Sequence, residues 1–343
     1  MQYFLGSYIV TILGAITAFF WAEHRIPGTG FTNLFIVAIL AILEVSLSFD
    51  NAVVNAMKLE KMDEVWHKRF LTWGIAIAVF GMRFLFPLLV VSIFANLKIR
   101  EVLRIALYDA DKYAHYLQLT HAPIVTFGGI FLLLLFLHYF FNHEKEVHWI
   151  EPIEKSLSTL DHIRGIEVII ALGALLLTTS IAPEAEKLSI LISGISGIIT
   201  YLTIDGVSHF LEKHEQQACG TGTKVACSGF IGFMYLELID ASFSLDGVLG
   251  AFALSSDIII ISIGLAIGAM FVRSLTVMLV EKKTLAQFLY LEHGAHWAIG
   301  TLSLLMFVST FCETPEVITG SLGLGFILSA LISSIMHNKK IGE

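Results

Sequence analysis

Five acidic residues stand inside stretches that are otherwise apolar. Glu44 and Asp50 fall within FIVAILAILEVSLSFDNAVVNA, and Glu237, Asp240 and Asp246 within YLELIDASFSLDGVLGAFA. Ser48, Asn51 and Ser244 lie beside them, and the apolar stretch after each set carries one arginine, Arg83 or Arg273. An acid at the centre of a membrane-spanning helix costs about 2.5–3.5 kcal/mol on insertion scales, so such residues are read as functional by default. Five acids against two bases leave a surplus of negative charge, which favours a bound cation over an anion or an apolar ligand. Carboxylate, amide and hydroxyl oxygens suit hard divalent ions such as magnesium, manganese or calcium. No Cys or Met cluster sits beside the acids, which disfavours copper(I). Histidines that could reach in keep zinc open. The two arginines read first as structural cations that hold helices together.

The elements that must carry these residues are membrane helices. The chain has 343 residues, of which 56% are hydrophobic and 15% charged, with a mean hydropathy of +0.79. A soluble domain carries roughly 25% charged residues. The apolar residues come in blocks of about 20, the length that crosses a bilayer core. Ten spans are predicted, over 3–22, 31–57, 70–95, 121–141, 166–182, 188–210, 228–254, 257–280, 290–311 and 315–336, an all-α polytopic bundle in the lipid bilayer. The first block lacks preceding basic residues and a small-x-small site after it, so it reads as a retained helix. Lys and Arg concentrate on the side that holds both termini, which predicts cytoplasmic termini in a bacterial-type inner (plasma) membrane.

The chain also repeats itself. Aligning Asp50 on Asp246 places Glu44 on Asp240 and Ser48 on Ser244, and GIAIAVFGMR (74–83) then matches GLAIGAMFVR (264–273). Spans 2 to 4 correspond to spans 7 to 9, an offset of five, so the copies cross in opposite directions. This predicts an inverted 5+5 repeat over residues 1–165 and 166–343, an architecture whose substrate site lies near the midplane. Glu44 and Asp50 are six residues apart, about 120° off one another on a regular helix. Either the helix breaks between them or their roles differ. Split roles are the preferred reading: Asp50 and Asp246 converge as ligands, within about 5–6 Å if they share one ion. Glu44 and Asp240 pair with Arg83 and Arg273 or complete the shell. Glu237 has Ala41 as its counterpart, so the site is not symmetric.

These motifs resemble the TerC integral membrane family. The resemblance rests on E-x5-D-N (Glu44, Asp50, Asn51), E-x2-D-x5-D (Glu237, Asp240, Asp246) and the paired arginine helices. An uncharacterised branch of that family is closer still, through FGGIFLL (127–133), HYFF (138–141) and HWIEPIE (148–154). The likeness covers most of spans 2–4 and 7–9. It implies membership of a superfamily of small-solute and metal exporters with inverted repeats, whose characterised relatives are linked to manganese export. One departure is Asp246-Gly247, where relatives carry Asp-Ser, which removes one hydroxyl ligand.

Other features carry less. A net charge of −8 gives no support to nucleic-acid binding. His209, His214, Cys219 and Cys227 enrich one loop, read as solvated. CGTGTK (219–224) lacks the phosphate-loop pattern, and HEKEVH (143–148) is not HExxH. His138, His143 and His148 read as boundary residues. Residues 98–107, and the helical recurrence of Ile150, Ile153, Leu157, Leu160 and Ile163, predict two surface-lying amphipathic helices without chemistry of their own. The expected function is export of a divalent cation, manganese foremost, coupled to protons, with no tightly bound cofactor and no enzymatic activity. A membrane scaffold and a metal-dependent membrane enzyme are the alternatives.

Overall fold

The computed structural model describes residues 2–60, 62, 64–142, 145, 147–163, 165–217, 230, 232–234, 236–237, 240, 251, 254–255, 257–282, 288–312 and 316–341. Helices make up nearly all of them, and no strand occurs among the described residues. Five helices have the length and apolar composition to cross a bilayer: α1 (Leu5–Arg25), α8 (His121–Phe141), the first part of α11 (Lys187–Gln217), α12 (Ile258–Glu281) and most of α14 (Glu316–Ile341). A sixth is the bent pair α2 (Gly30–Leu47) and α3 (Phe49–Glu60). Two shorter apolar helical stretches, Phe80–Ile93 and α10 (Ile166–Ile181), complete the set. The helix α13 (Leu291–Ser309) falls on the ninth predicted span. Large side chains face outward along these helices, including Phe31, Trp73, Phe80 and Leu188. So much exposed apolar surface is tolerated where lipid covers it, and the protein is an integral membrane protein. Most of the seventh predicted span and the His/Cys loop 218–227 lie outside the described residues.

The chain divides into two compact units, each drawing on both halves of the sequence. The first holds Met1–Ala56, Glu64–His121 and Leu236–Lys282, with α12 at its centre. The second holds Met57–Asp63, Ala122–Tyr235 and Lys283–Glu343. In the first unit α12 is buried along most of its length, against α1 and α2. Lipid chains are as apolar as leucine, so membrane helices associate through close packing and hydrogen bonds. Both are visible here. Ala18 and Ala22 of α1 pack on Ile260 and Ile267, and Ser7 Oγ donates to the Met270 carbonyl at 2.9 Å. On the other side of α12, Gly264 and Gly268 form a G-x-x-x-G face against α2. A Cβ at Gly268 would stand 2.5 Å from Glu44 Cβ and 2.7 Å from the Ala41 carbonyl oxygen; one at Gly264 would stand 2.6 Å from Leu40 Cβ.

The segment after α4 (Glu64–Ala76) widens into a π-helix, Ile77–Leu85, before α5 (Phe86–Phe94) resumes the α form. The first helix expected on the surface is α6 (Ile99–Tyr108), followed by α7 (Ala110–Leu119). It docks rather than floats. Val102, Ile105 and Ala106 join Leu88, Val91, Tyr113, Leu117 and Ile258 in one core cluster. Burial in that cluster pushes the Tyr113 phenol well above its ordinary range.

In the second unit α8 is buried on nearly every face. Gly129 of α8 accepts a 2.8 Å hydrogen bond from Ser303 Oγ of α13, and Gly300 of α13 leaves room for Phe136. Gly197 of α11 faces the Phe127 carbonyl. Small residues therefore set the contacts in both units. Gly268→Leu is expected to destabilise the protein by about 1–3 kcal/mol through overpacking. Gly173→Ala, where nothing stands within 4 Å, is expected to leave it unchanged or slightly more stable. Thermal unfolding in detergent, followed by tryptophan fluorescence, measures both.

Candidate functional site

Glu44 lies on the last full turn of α2 and is buried to 2% exposure, as is Arg83 in the π-helical segment. Arg83 Nη2 donates to Glu44 Oε1, and Ser48 Oγ donates to the same oxygen at 2.8 Å. A π turn holds more residues than an α turn and occurs mostly as a local insertion, frequently at functional sites. Ser262 Oγ of α12 also donates to the Arg83 carbonyl oxygen, at 3.4 Å. The expected pairing of Glu44 with Arg83 is present.

The second arginine behaves differently. Arg273, on α12, donates from Nη2 to Glu237 Oε1 at 2.7 Å and from Nη1 to the Gly74 carbonyl. Its guanidinium lies 3.9 Å from the centre of the Phe70 ring, a favourable cation–π distance. Gly74 is required there, since a Cβ would meet Arg273 Nη2 at 2.5 Å and Glu237 Oε1 at 2.8 Å. The repeat had suggested Asp240 as the partner. The structure uses Glu237, three residues earlier in the chain. Asp240 is itself buried, at 9% exposure. Two of the five acids are thus neutralised by the two arginines.

Of the two alternatives for Glu44 and Asp50, a break in the helix is present. α2 stops at Leu47, α3 begins at Phe49, and the two are bent by 49°. Local chemistry accounts for the break. Ser46 Oγ turns back to the Ile42 carbonyl at 2.9 Å, a bond that bends helices. Ser48 spends its hydroxyl on the Glu44 carboxylate, while its carbonyl accepts from Ala52 N to start the next helix. Asn51 is buried at 1%. The Asp50 side chain, Ser244, Asp246 and Gly247 lie outside the described residues, and so does the expected Asp50–Asp246 convergence. Among the described residues, no group of three or more His, Cys, Asp or Glu is placed to hold a metal ion.

One buried carboxylate was not anticipated. Glu154 belongs to α9 (Glu151–Ser158), the second helix expected to lie on the surface, yet it is 1% exposed. Its Oε2 accepts from Trp149 N at 2.9 Å, and its Oε1 from Trp297 Nε1 at 3.0 Å and Ile150 N at 3.3 Å. His293 Nδ1 approaches Oε2 at 2.9 Å, off the line of a good hydrogen bond, and His148 Nδ1 at 3.7 Å. Burial alone would raise the carboxyl. The contacts from His293 and Trp297 and the Ile150 N–H outweigh it and hold the group at about 2, against an ordinary 4.5. α9 is therefore clamped to the start of α13 by a buried anion. The signal for it is a pair of polar-tipped residues, His293 and Trp297, four apart on one face of a span. His138 sits apart, exposed and 3.6 Å from Glu167.

A family model matches residues 49–341, most of the chain. The chain belongs to the DUF475 family, proteins of unknown function. No curated protein and no solved structure matches it. The matched region of this DUF475 protein takes in Asp50, both arginines, Glu237, Asp240, Asp246 and Glu154, and leaves out α1 and all of α2, Glu44 included.

Removing one partner of a buried ion pair strands the other charge, at about 3–5 kcal/mol. Arg83→Gln is expected to destabilise on that scale, and Arg83→Met combined with Glu44→Leu much less, by thermal unfolding in detergent. Glu154→Gln is expected to be less stable than wild type at neutral pH. A depressed carboxyl stabilises the folded state above its unfolded value and loses that contribution as pH falls through the folded one. The difference between the two proteins should therefore close as pH drops from about 4.5 towards about 2. Unfolding midpoints compared across that range check it.

Proposed function

We propose that this protein exports divalent metal cations, manganese foremost, in exchange for protons. The observation that carries this reading is a broken membrane-spanning helix, bent by 49° between Glu44 and Asp50, beside a buried and neutralised Glu44–Arg83 pair. Discontinuous helices at transporter midplanes expose backbone and side-chain oxygens where a continuous helix would not. With Glu44 and Glu237 neutralised, Asp50, Asp240 and Asp246 carry the remaining intramembrane charge of the two acidic sets. Asp50 and Asp246 act as ligands from the two repeats, Asn51 and Ser48 add neutral oxygens, and Asp240 completes the shell. The resemblance to the TerC family supports manganese over other hard ions.

Moving a doubly charged ion outward against about 100 mV costs about 4.6 kcal/mol, so export needs a driving ion. Carboxylates that hold metal in one state and protons in the other provide that coupling. In this reading the inverted repeat over 1–165 and 166–343 gives alternating access, in an inner membrane with both termini in the cytoplasm.

Asp50→Asn and Asp246→Asn are expected to abolish manganese resistance in cells that lack their own exporter, and to raise cellular manganese. Unchanged resistance in both, with the proteins present in the membrane, would sink the proposal and favour a scaffold.

A further inference from the structure

The helix after the break carries an amide that the ion pairs do not explain. Residues 51–56 of α3 are all buried, so this stretch meets neither lipid nor bulk water. Asn51 and Asn55, four residues apart, share one face of it. Asn55 is 5% exposed, and its Oδ1 accepts no hydrogen bond. Buried polar oxygens without a partner are rare, and each calls for a reason such as an ion or a functional role.

The internal repeat shows that packing does not require an amide at this position. Asn55 aligns with Ala251, which is fully buried in an apolar cluster with Leu40, Ile261 and Leu265. The aligned residue of the second copy is buried with no polar atom on its side chain. Asn51 aligns with Gly247. The amides are thus confined to the first copy, as the additional acid Glu237 is confined to the second.

We propose that Asn55 Oδ1 is a neutral oxygen ligand for the divalent cation, a second station on its path beyond Asp50. This rests on the transport reading above. Five residues separate Asp50 from Asn55, about 7.5 Å along a helix axis and about 140° around it. Ligands of one ion lie about 2.0–2.6 Å from it, so the two side chains on one helix serve successive positions. Amide oxygens are ordinary ligands of hard divalent ions. The neutral ligand holds the ion more weakly than a carboxylate and lets it move on. An amide has no proton to exchange, so the station acts on the metal and not on the coupled proton.

The test uses the full-length protein in vesicles, with manganese uptake driven by a pH gradient. Asn55→Ala copies the residue of the second repeat, so its fold is expected to survive, which the unfolding midpoint checks. It should raise KM for manganese by about tenfold or more, since even groups one shell removed from a metal cost about 10–100-fold when lost, with the pH profile of transport unmoved. Asn55→Asp supplies an oxygen that binds more strongly, and should lower KM and kcat together. An unchanged KM in both variants, or a shift of the pH profile in Asn55→Ala, would overturn the assignment of Asn55. Wild-type vesicles that take up no divalent cation would overturn the transport reading itself.

Discussion

A charge held at lipid depth has to be neutralised where it stands. Water is too far away to screen it, and the cost of an isolated ion there is several kcal/mol. The first compact unit is organised around meeting that demand twice, at Glu44–Arg83 and at Glu237–Arg273. Each arginine lies on a different segment from its acid, so each pair also joins two segments. Each site adds further groups: Ser48 donates to the Glu44 carboxylate, and the Gly74 carbonyl and the Phe70 ring receive the Arg273 guanidinium.

The two copies of the repeat meet the same demand by different local means. Arg83 rides on a π-helix and takes the acid at the aligned position. Arg273 rides on a regular α-helix and takes an acid one turn away. Equivalent positions therefore carry unequal roles. The amides of α3 have glycine and alanine as counterparts, and Glu237 has Ala41.

Much of this was legible from residue types alone. Span length and apolar composition mark the membrane class, because a bilayer imposes a fixed thickness on any helix that crosses it. The Glu44–Arg83 pair follows from the expense of leaving either charge alone. The choice of Glu237 over Asp240 does not, since the repeat aligns Asp240 with Glu44 and the contact is made only in three dimensions. The break after Leu47 carries no proline or glycine; it falls where Ser46 bonds back to the Ile42 carbonyl and Ser48 donates to the Glu44 carboxylate, which periodicity does not register. Glu154 was hidden for another reason. Glu154 stands four residues after Ile150 and three before Leu157, at the edge of the apolar face, where an ionised carboxylate would ordinarily turn to water. Only the partners His293 and Trp297, far away in sequence, draw it inward.

The glycine face of α12 has a mechanical consequence. At Gly264 and Gly268 nothing but backbone separates α12 from Leu40 and Glu44 of α2. A contact without side-chain thickness behaves as a weld rather than a bearing, because any slide of one helix along the other drives Leu40 or Glu44 into main chain. α2 and α12 must therefore travel as one rigid piece. Shape change in this unit is left to the places where helical hydrogen bonding is already interrupted or widened, the joint after Leu47 and the π-helical stretch Ile77–Leu85. The Glu44–Arg83 pair links the two, with Glu44 just before the joint and Arg83 within the π-helical stretch.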